Sequence, residues 1–259
     1  MARSSLNADK RRTTLAEMLM QGKRVSISAQ AKRFGVHEMT VRRDLDALEE
    51  AGMVVRCYGG GIPAHRLILE FEFDQRRRRN LRLKKRIASL AAGKISPGQT
   101  VILDTGTTTG EVAKSLSTRA LPCMVVTNSL ATAGALWASE PIDLMLLGGR
   151  VRRASPDLIG PDVELMLDRL SADVAILGAD GIDPDRGCFA VDLEAGRVAE
   201  RMAASARRVI VVADSTKFNR PAPVRYLQTA DMDELVTDKA APGKALATLR
   251  RKGVKVTTV

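Results

Sequence analysis

The chain has 259 residues, of which 45% are hydrophobic, and its net charge of +11 lies in residues 1–99, which contain 21 Lys and Arg against 10 Asp and Glu. A cationic N-terminal third suits a partner with a phosphate backbone, and the two histidines leave little material for histidine-based catalysis. No apolar run approaches the roughly 20 residues of a membrane span, and the N-terminus is polar, so we expect a cytoplasmic protein with no membrane partner. The three cysteines are far apart, so we expect them to be reduced and to bind no metal. We expect no cofactor.

The first third of the chain predicts three short helices followed by a wing. The first helix begins with Asp9 as its cap, and Ser28 caps a second helix that ends before a tight turn at Gly35. A third helix over 36–51 has apolar residues at spacings of four and three, which place them on one face. A short extended segment at 54–56 then runs into glycines. This pattern indicates a winged helix-turn-helix, whose third helix can enter the major groove of DNA.

The predicted DNA contacts lie on the second and third helices and on the wing. From helical phase, residues 38–40 and Arg42 are the candidates for base edges, whereas Lys32, Arg43 and Arg56 are candidates for phosphates. The alternative is an ordinary solvated basic helix in a small bundle. The predicted DNA-binding residues are Ser28, Lys32, His37, Glu38, Met39, Thr40, Arg42, Arg43, Arg56 and Tyr58.

Beyond the wing, the pattern predicts a connector and then an α/β domain. The connector contains four consecutive arginines at 76–79, which either lie along DNA phosphates or form a solvated hinge helix. From Ile87 onward, short aliphatic runs alternate with helical segments, and this alternation indicates a mainly parallel, doubly wound sheet covered by helices on both faces. The strands are expected at 100–104, 124–128, 144–149, 173–180, 208–214 and 234–238, with an edge strand at 254–259. The predicted organisation is a winged helix-turn-helix domain over 1–61, a basic linker over 62–85 and an effector-sensing domain over 86–259.

Polar residues at the carboxyl ends of these strands predict a ligand site, because open α/β sheets bind ligands at that edge. The segment 105–110, TGTTTG, follows a strand and precedes a helix, so backbone N–H groups, threonine hydroxyls and a helix N-terminus can bind one phosphate or a sugar phosphate. It matches no dinucleotide or nucleoside triphosphate loop, and a plain tight turn is the alternative. Lys217 can neutralise a second anionic group, while Asp180 and Glu194 can accept hydrogen bonds from sugar hydroxyls. The predicted effector site consists of Asp104, Thr105, Gly106, Thr107, Thr108, Thr109, Asn128, Gly149, Asp180, Glu194 and Lys217.

Taken together, these motifs resemble the DeoR family of bacterial transcription regulators. The resemblance rests, in chain order, on FGVHEMTVRRDLDALEEAG, RCYGGG, the spacing Arg76…Asn80…Lys84, LDTGTTT, VTNS, LGG, ILGADGID and VVADSTKF. It implies a regulator of sugar catabolism, usually a repressor, whose C-terminal domain binds a phosphorylated sugar. His37 stands where the family commonly has Ser. The position at which the family usually has a lysine falls near Ala199, and this chain has no lysine there. We expect a homo-oligomer, a dimer or a tetramer, on double-stranded operator DNA.

Two other functions compete with a regulator. The C-terminal half also resembles the ribose-5-phosphate isomerase type of sugar-phosphate fold, so an isomerase-like enzyme fused to a DNA-binding domain is the alternative. Leu177 and Gly181 stand where those isomerases carry further acidic residues, and residues 187–189 replace their lysine-and-glycine segment, so the proton-transfer groups are depleted. We therefore expect a sensor and not an enzyme. An RNA-binding or scaffolding protein would need neither the wing glycines nor the polar strand ends.

Overall fold

The computed structural model describes residues 8–20, 23–51, 53–63, 73, 76–152 and 155–259. The chain forms two compact units, residues 1–75 and residues 76–259. The first unit has one hydrophobic core, and the second has two, one on each face of its main sheet. Among the helices that the structure describes, none has the length and apolar character that crossing a bilayer requires.

The first unit is a winged helix-turn-helix. Its helices are α1 (Ala8–Met20), α2 (Ile27–Phe34) and α3 (Glu38–Glu50), and its strands are β1 (Val25–Ser26), β2 (Val54–Cys57) and β3 (Gly60–Pro63). The strands form an antiparallel sheet in the order β1-β3-β2, and β2 with β3 forms the wing hairpin. Apolar side chains from all three helices and from β1 and β2 make one core, which explains the spacing of apolar residues in the third helix.

Two predicted helix caps in this unit are wrong by one or two residues. The cap of α2 is Ser26, which has an extended backbone and whose hydroxyl accepts a hydrogen bond from the Ala29 N–H at 3.4 Å. Ser28 lies in the first turn of α2 instead, which begins one residue earlier at the buried Ile27. Asp9 likewise lies within the first turn of α1 and does not precede it. The predicted turn at Gly35 is confirmed by its left-handed backbone.

The second unit is built on a seven-stranded sheet in which every neighbouring pair is parallel. The strand order is β15-β14-β12-β9-β4-β5-β6. Each of the seven predicted strands is present, and all seven end one to three residues earlier than predicted. Their bounds are β4 (Thr100–Leu103), β5 (Cys123–Thr127), β6 (Ile142–Leu146), β9 (Val174–Leu177), β12 (Val209–Val212), β14 (Glu234–Thr237) and β15 (Lys255–Thr258).

Helices cover both faces of this sheet. One face packs against α4 (Leu81–Ala92), α5 (Thr107–Arg119) and α6 (Leu130–Leu136). The other packs against α7 (Pro161–Leu167), α8 (Leu193–Ala204) and α9 (Gly243–Arg251). Along β4 the side chains alternate between the two cores, with Val101 and Leu103 in one and Ile102 in the other. Burial on both faces explains why these strands read as continuous apolar runs.

Two smaller sheets, which the sequence did not predict, lie beside the main sheet. The hairpin of β7 (Arg150–Arg152) and β8 (Asp157–Ile159) is antiparallel. A second antiparallel sheet has the order β10 (Gly181–Asp183), β11 (Gly187–Ala190) and β13 (Val224–Leu227). These strands have three or four residues each, which is too short for an alternating pattern to stand out.

The second half of the predicted connector belongs to the second unit. Helix α4 begins at Leu81 and buries Lys84, Ile87, Ala88 and Ala91 on one face, at helical spacing. The cations between them are exposed, so a charge-rich sequence concealed an amphipathic helix. The division between the two compact units falls between residues 75 and 76, within the predicted linker.

Candidate functional sites

Helix α3 presents its predicted DNA contacts to solvent. Its apolar face, Val41, Leu45 and Leu48, is buried in the core of the first unit. On the opposite face, Met39 has 51% of its surface exposed, and Glu38, Arg42 and Arg43 are exposed as well, whereas Thr40 is half-buried. Lys32 and Ser28 are exposed on α2. The exposed side chains of α3 can therefore contact base pairs in a groove of DNA.

His37 caps α3 in place of the serine that is common in the family. Its backbone is extended, and its Nδ1 accepts a hydrogen bond from the Met39 N–H at 3.2 Å. An imidazole nitrogen that carries no proton can accept in this way, just as a serine hydroxyl does. The exchange of Ser for His therefore keeps the helix cap.

Arg56 connects the wing to α3 through hydrogen bonds and an ion pair. Its Nη1 donates to the Arg42 carbonyl at 3.1 Å and forms an ion pair with Asp46, while its backbone N–H donates to Glu49 Oε1 at 3.2 Å. Arg56, predicted to hold a phosphate, thus has protein partners in this structure. Tyr58, at the tip of the wing, is fully exposed.

A buried carboxylate that the sequence did not single out ties α1 to α3. Asp44 is 1% exposed and accepts hydrogen bonds from Arg11 Nε at 2.8 Å and from Arg12 Nε at 3.2 Å. It sits on the same face of α3 as the apolar core residues. Its partners lie 32 and 33 residues away in the chain, so no local pattern could reveal the pairing.

In the second unit, the candidate effector site lies where the strand order reverses. From β4 the chain proceeds to β5 and β6 on one side, and later to β9, β12, β14 and β15 on the other. The connections that follow β4 and β9 therefore lead to opposite sides of this pair, and open α/β sheets bind ligands at such a switch point. Asp104 follows β4 and bridges this point, because its Oδ2 accepts the Gly178 N–H at 3.0 Å.

Asp104 is a buried carboxyl group. Only 8% of its surface is exposed. Burial raises its pKa to about 7, while hydrogen bonds from the Gly178 and Thr105 N–H groups act in the opposite direction. The group can therefore change its charge near neutral pH.

The threonine-rich segment is the first turn of a helix and less of a loop than predicted. Helix α5 begins at Thr107, whereas the sequence suggested a start after Gly110. Thr108 and Thr109 are buried, and the Thr109 hydroxyl donates to the Gly106 carbonyl at 3.2 Å, which stabilises this early start. Gly106 is the N-cap, and no side chain of the described residues caps the helix there. The first-turn N–H groups of α5 thus suit an anion.

Two lysines and one arginine lie close to this edge of the sheet. Lys217, in a short 3₁₀ turn after β12, has its pKa lowered by burial, and the charge of Asp180 opposes that shift. Lys84 is 4% exposed, its Nζ donates to the Arg76 carbonyl, and burial lowers its pKa to about 8. Arg76 Nη1 lies 3.6 Å from Asp180 Oδ1. The sequence alone places Lys84 and Arg76 in the connector. The motif spacing Arg76…Asn80…Lys84 is the sequence signal that could have indicated their position near this edge.

A second cationic group comes from the β7–β8 hairpin. Arg152 donates to Asp157 through Nη2 at 2.6 Å and Nε at 3.0 Å, and its Nη1 lies 3.9 Å from Asp192. The charges of Arg152 and Asp157 both act on Asp104, which places this pair on the same side of the sheet. Neither residue was predicted.

Three predicted effector residues have other partners in the protein. Asn128 is 1% exposed and donates from Nδ2 to the Leu158 carbonyl at 2.8 Å. Gly149 has a φ of 150°, and a Cβ there would lie 2.9 Å from the Ile159 carbonyl oxygen, so close packing requires this glycine. Glu194 is exposed on α8 and pairs with Arg150 at 2.6 Å. Their roles toward a ligand stay predictions.

Comparison with known proteins gives two family matches and full-length relatives. Residues 11–65 match the DeoR-like helix-turn-helix domain, and residues 79–239 match the DeoR C terminal sensor domain. The repressor GlcR of Bacillus subtilis strain 168 is 32% identical over 250 residues, covering 96% of this chain and 95% of the relative. A protein of Escherichia coli O157:H7, proposed by its name to be an aga operon transcriptional repressor, is 34% identical over 251 residues, covering 96% and 93%. The solved structure of ribose 5-phosphate isomerase A from Methanocaldococcus jannaschii is 19% identical, with a TM-score of 0.41, and the match covers 54% of this chain and 55% of that chain.

Proposed function

Because the chain belongs to the DeoR family of transcription regulators, we propose that it represses a carbohydrate-catabolism operon under the control of a phosphorylated sugar. The winged helix-turn-helix unit binds operator DNA, and the second unit binds the sugar phosphate. Names of relatives such as the glycerol-3-phosphate regulon repressor of Escherichia coli support a target in carbohydrate metabolism. The chain acts as a homo-oligomer, since paired recognition helices match two half-sites about one helical turn apart.

The observation that carries the DNA-binding proposal is the division of α3 into two faces. Core residues fix one face, so the exposed face with Glu38, Met39 and Arg42 has a defined orientation toward a groove. Arg42 can read a guanine through two parallel hydrogen bonds, which carry sequence information. Lys32 and Arg43 hold phosphates, which position the unit without selecting sequence.

The observation that carries the effector proposal is the uncapped start of α5 at the switch point. A phosphate group accepts hydrogen bonds from the first-turn N–H groups of residues 106–109 and gains from the positive end of the helix dipole. Lys217 supplies a further cation, and Asp180 offers an acceptor for sugar hydroxyls. An anion with several hydroxyls therefore suits this edge better than a neutral sugar.

The same edge is poor in groups that isomerisation requires. Proton transfer between sugar carbons needs carboxylates that reach the substrate. Leu177 is buried within β9, and a side chain at Gly181 would place a Cβ 2.4 Å from the Arg220 carbonyl oxygen. The backbone thus leaves no room for an acidic side chain at position 181. These features support a sensor without catalytic turnover.

Two measurements with the full-length protein test the proposal. Duplexes selected from a random library should share one sequence and bind far more tightly than scrambled duplex at the same salt concentration. Thermal-shift screening against phosphorylated sugars, with the unphosphorylated sugars and inorganic phosphate as controls, should give a ligand that raises the melting temperature and changes DNA affinity. Lack of sequence selection, or steady isomerase turnover by the purified protein, would contradict the proposal.

A further inference from the structure

The wing contains one cation, and that cation is already paired. Residues 54–63, VVRCYGGGIP, form β2, the turn and β3, and Arg56 is the one Lys or Arg among them. Its guanidinium forms an ion pair with Asp46, so its charge is compensated within the protein. Tyr58, at the tip of the wing, is fully exposed. A phosphate contact at this tip therefore needs a cation from another part of the chain.

Arg24, one residue before β1, places a guanidinium at the tip of the wing. Its side chain is exposed, and its Nη2 donates to the Tyr58 carbonyl at 3.0 Å. A carbonyl oxygen carries no formal charge, so this hydrogen bond orients the guanidinium and leaves its positive charge uncompensated. Arg56 differs, because its partner is a carboxylate. A guanidinium has five N–H donors, so a single bond to a carbonyl leaves donors that can reach a phosphate.

The backbone holds Arg24 beside the wing independently of that side-chain bond. Strand β1 pairs with β3, with Val25 opposite Gly61 and Ser26 opposite Gly60. A Cβ at Gly60 would lie 1.9 Å from the Val25 carbonyl oxygen, so the close approach of the two strands requires a glycine at this position. The strand pairing therefore fixes where the Arg24 side chain begins.

The tip of the wing also lies next to the first turn of α2. The N–H of Ile27, the first residue of α2, donates to the Gly59 carbonyl at 2.9 Å. Ser28, in the same turn, is exposed and is one of the predicted DNA contacts. Arg24 thus adds a positive charge to a surface at which DNA binding is already proposed.

We propose that Arg24 binds a DNA phosphate beside the tip of the wing and so supplies the positive charge that the wing itself lacks. This inference rests on the proposed function and adds a contact to its DNA-binding surface. Phosphate contacts position a protein on the duplex without selecting sequence. The Tyr58 carbonyl orients the guanidinium before DNA arrives, so less side-chain freedom is lost on binding.

The salt dependence of DNA affinity measures how many phosphates a protein neutralises. In fluorescence anisotropy with the full-length protein, Arg24→Gln should reduce the slope of log K against log salt by about 0.9 for each subunit on the duplex, which corresponds to about eightfold weaker binding per subunit at about 0.1 M salt. The selected duplex and a scrambled duplex should show the same loss. The matched control is Arg33→Gln, which removes an equal charge. The Arg33 guanidinium packs against the Met18 sulfur and the Phe34 ring, so this variant should keep the wild-type slope.

Two further measurements separate a phosphate contact from a role in holding the wing. Arg24→Lys loses the planar guanidinium but keeps a charge that pairs with phosphate, and it should restore most of the slope. Single methylphosphonate substitutions each remove the charge of one phosphate, and one position per half-site should weaken binding of the wild type but not of Arg24→Gln. All three variants should keep the wild-type melting temperature, because both arginine side chains are exposed.

The inference fails if Arg24→Gln and Arg33→Gln behave alike, or if no methylphosphonate position distinguishes Arg24→Gln from the wild type. It also fails if Arg24→Lys binds as weakly as Arg24→Gln, since the residue would then hold the wing and no phosphate. A loss confined to duplexes with A·T-rich flanks would place the guanidinium in the minor groove and overturn the phosphate contact. All these outcomes leave DNA binding by the wild type intact. If the wild type binds no duplex, the proposed function itself fails.

Discussion

Replacement of Asp104 by Asn should remove a pH dependence of stability from the second unit. Burial raises the pKa of this carboxyl from 3.8 to about 7, and the difference corresponds to about 4 kcal/mol for ionising it in the folded protein. Because the folded state binds this proton more tightly than the unfolded chain does, stability falls as the pH rises from about 4 to about 7 and then levels off.

The Asn side chain cannot ionise, so the variant lacks this cost. Its amide oxygen can still accept the Gly178 N–H, but one of the two backbone hydrogen bonds to the carboxylate is weakened. This weakening offsets about 1–2 kcal/mol of the stability that the variant gains by not ionising. At pH 8 the variant should therefore be more stable than the wild type by roughly 2–3 kcal/mol. At pH 5 the wild type is protonated as well, and the advantage should vanish or reverse.

Urea unfolding followed by circular dichroism, repeated between pH 5 and 8, measures this difference. Asp173→Asn is the matched control, because Asp173 Oδ2 accepts the Thr100 N–H at 2.9 Å at the opposite edge of the sheet. The control keeps Asp104 and should follow the wild-type pH dependence. If the curves of Asp104→Asn and the wild type run parallel from pH 5 to 8, the carboxyl does not titrate in this range and the reasoning is refuted.

Three further predictions concern DNA binding, the stability of the first unit and effector response. Arg42→Ala should reduce the free energy of binding to the selected duplex by about 1–3 kcal/mol and relax base preference. Lys32→Ala should weaken binding to selected and random duplexes alike. Equal losses of binding to both duplexes for Arg42→Ala would contradict the assignment of Arg42 to a base edge. Asp44→Ala removes the buried carboxylate that accepts from Arg11 and Arg12 and should lower the unfolding free energy of the first unit by about 3–5 kcal/mol in urea titrations, against a change within about 0.5 kcal/mol for an exposed acidic residue of the same helix. Thr107→Ala combined with Lys217→Ala should leave DNA affinity intact in fluorescence anisotropy but abolish the effect of the sugar phosphate, and a normal response would place the ligand elsewhere.

The main sheet could be predicted from the sequence because its central strands are buried on both faces. The central strands read as three or four consecutive aliphatic residues, such as VIL in β4 and VAIL in β9. The helix-turn-helix was equally readable, since Gly35 and the apolar spacing of α3 are local signals. Predicted strand ends overshot, because apolar residues continue past the last parallel pairing, as at Leu147, which is buried beyond the end of β6.

The parts that escaped prediction depend on contacts between distant residues. Lys84 read as one cation in a basic run, and only the packing of α4 shows that it is buried. Arg152 and Asp157 pair across a hairpin whose strands have three residues each, and Tyr226 reaches the Gly178 carbonyl from β13. A charge or a tyrosine in a sequence does not reveal which strand end it will meet.

The order of strands decides which polar strand ends can share one ligand. Neighbouring strands lie about 4.8 Å apart, so a sugar phosphate placed at β4 can reach groups that follow the strands one or two positions away. β9 is next to β4 and β12 follows it, which brings Asp180 and Lys217 within that span on one side. On the other side, β6 lies two positions away, but Gly149 beyond it is already packed against α7 and β8. The sequence could therefore identify the polar strand ends, but only the strand order separates those that we propose to bind a ligand from those that are packed within the fold.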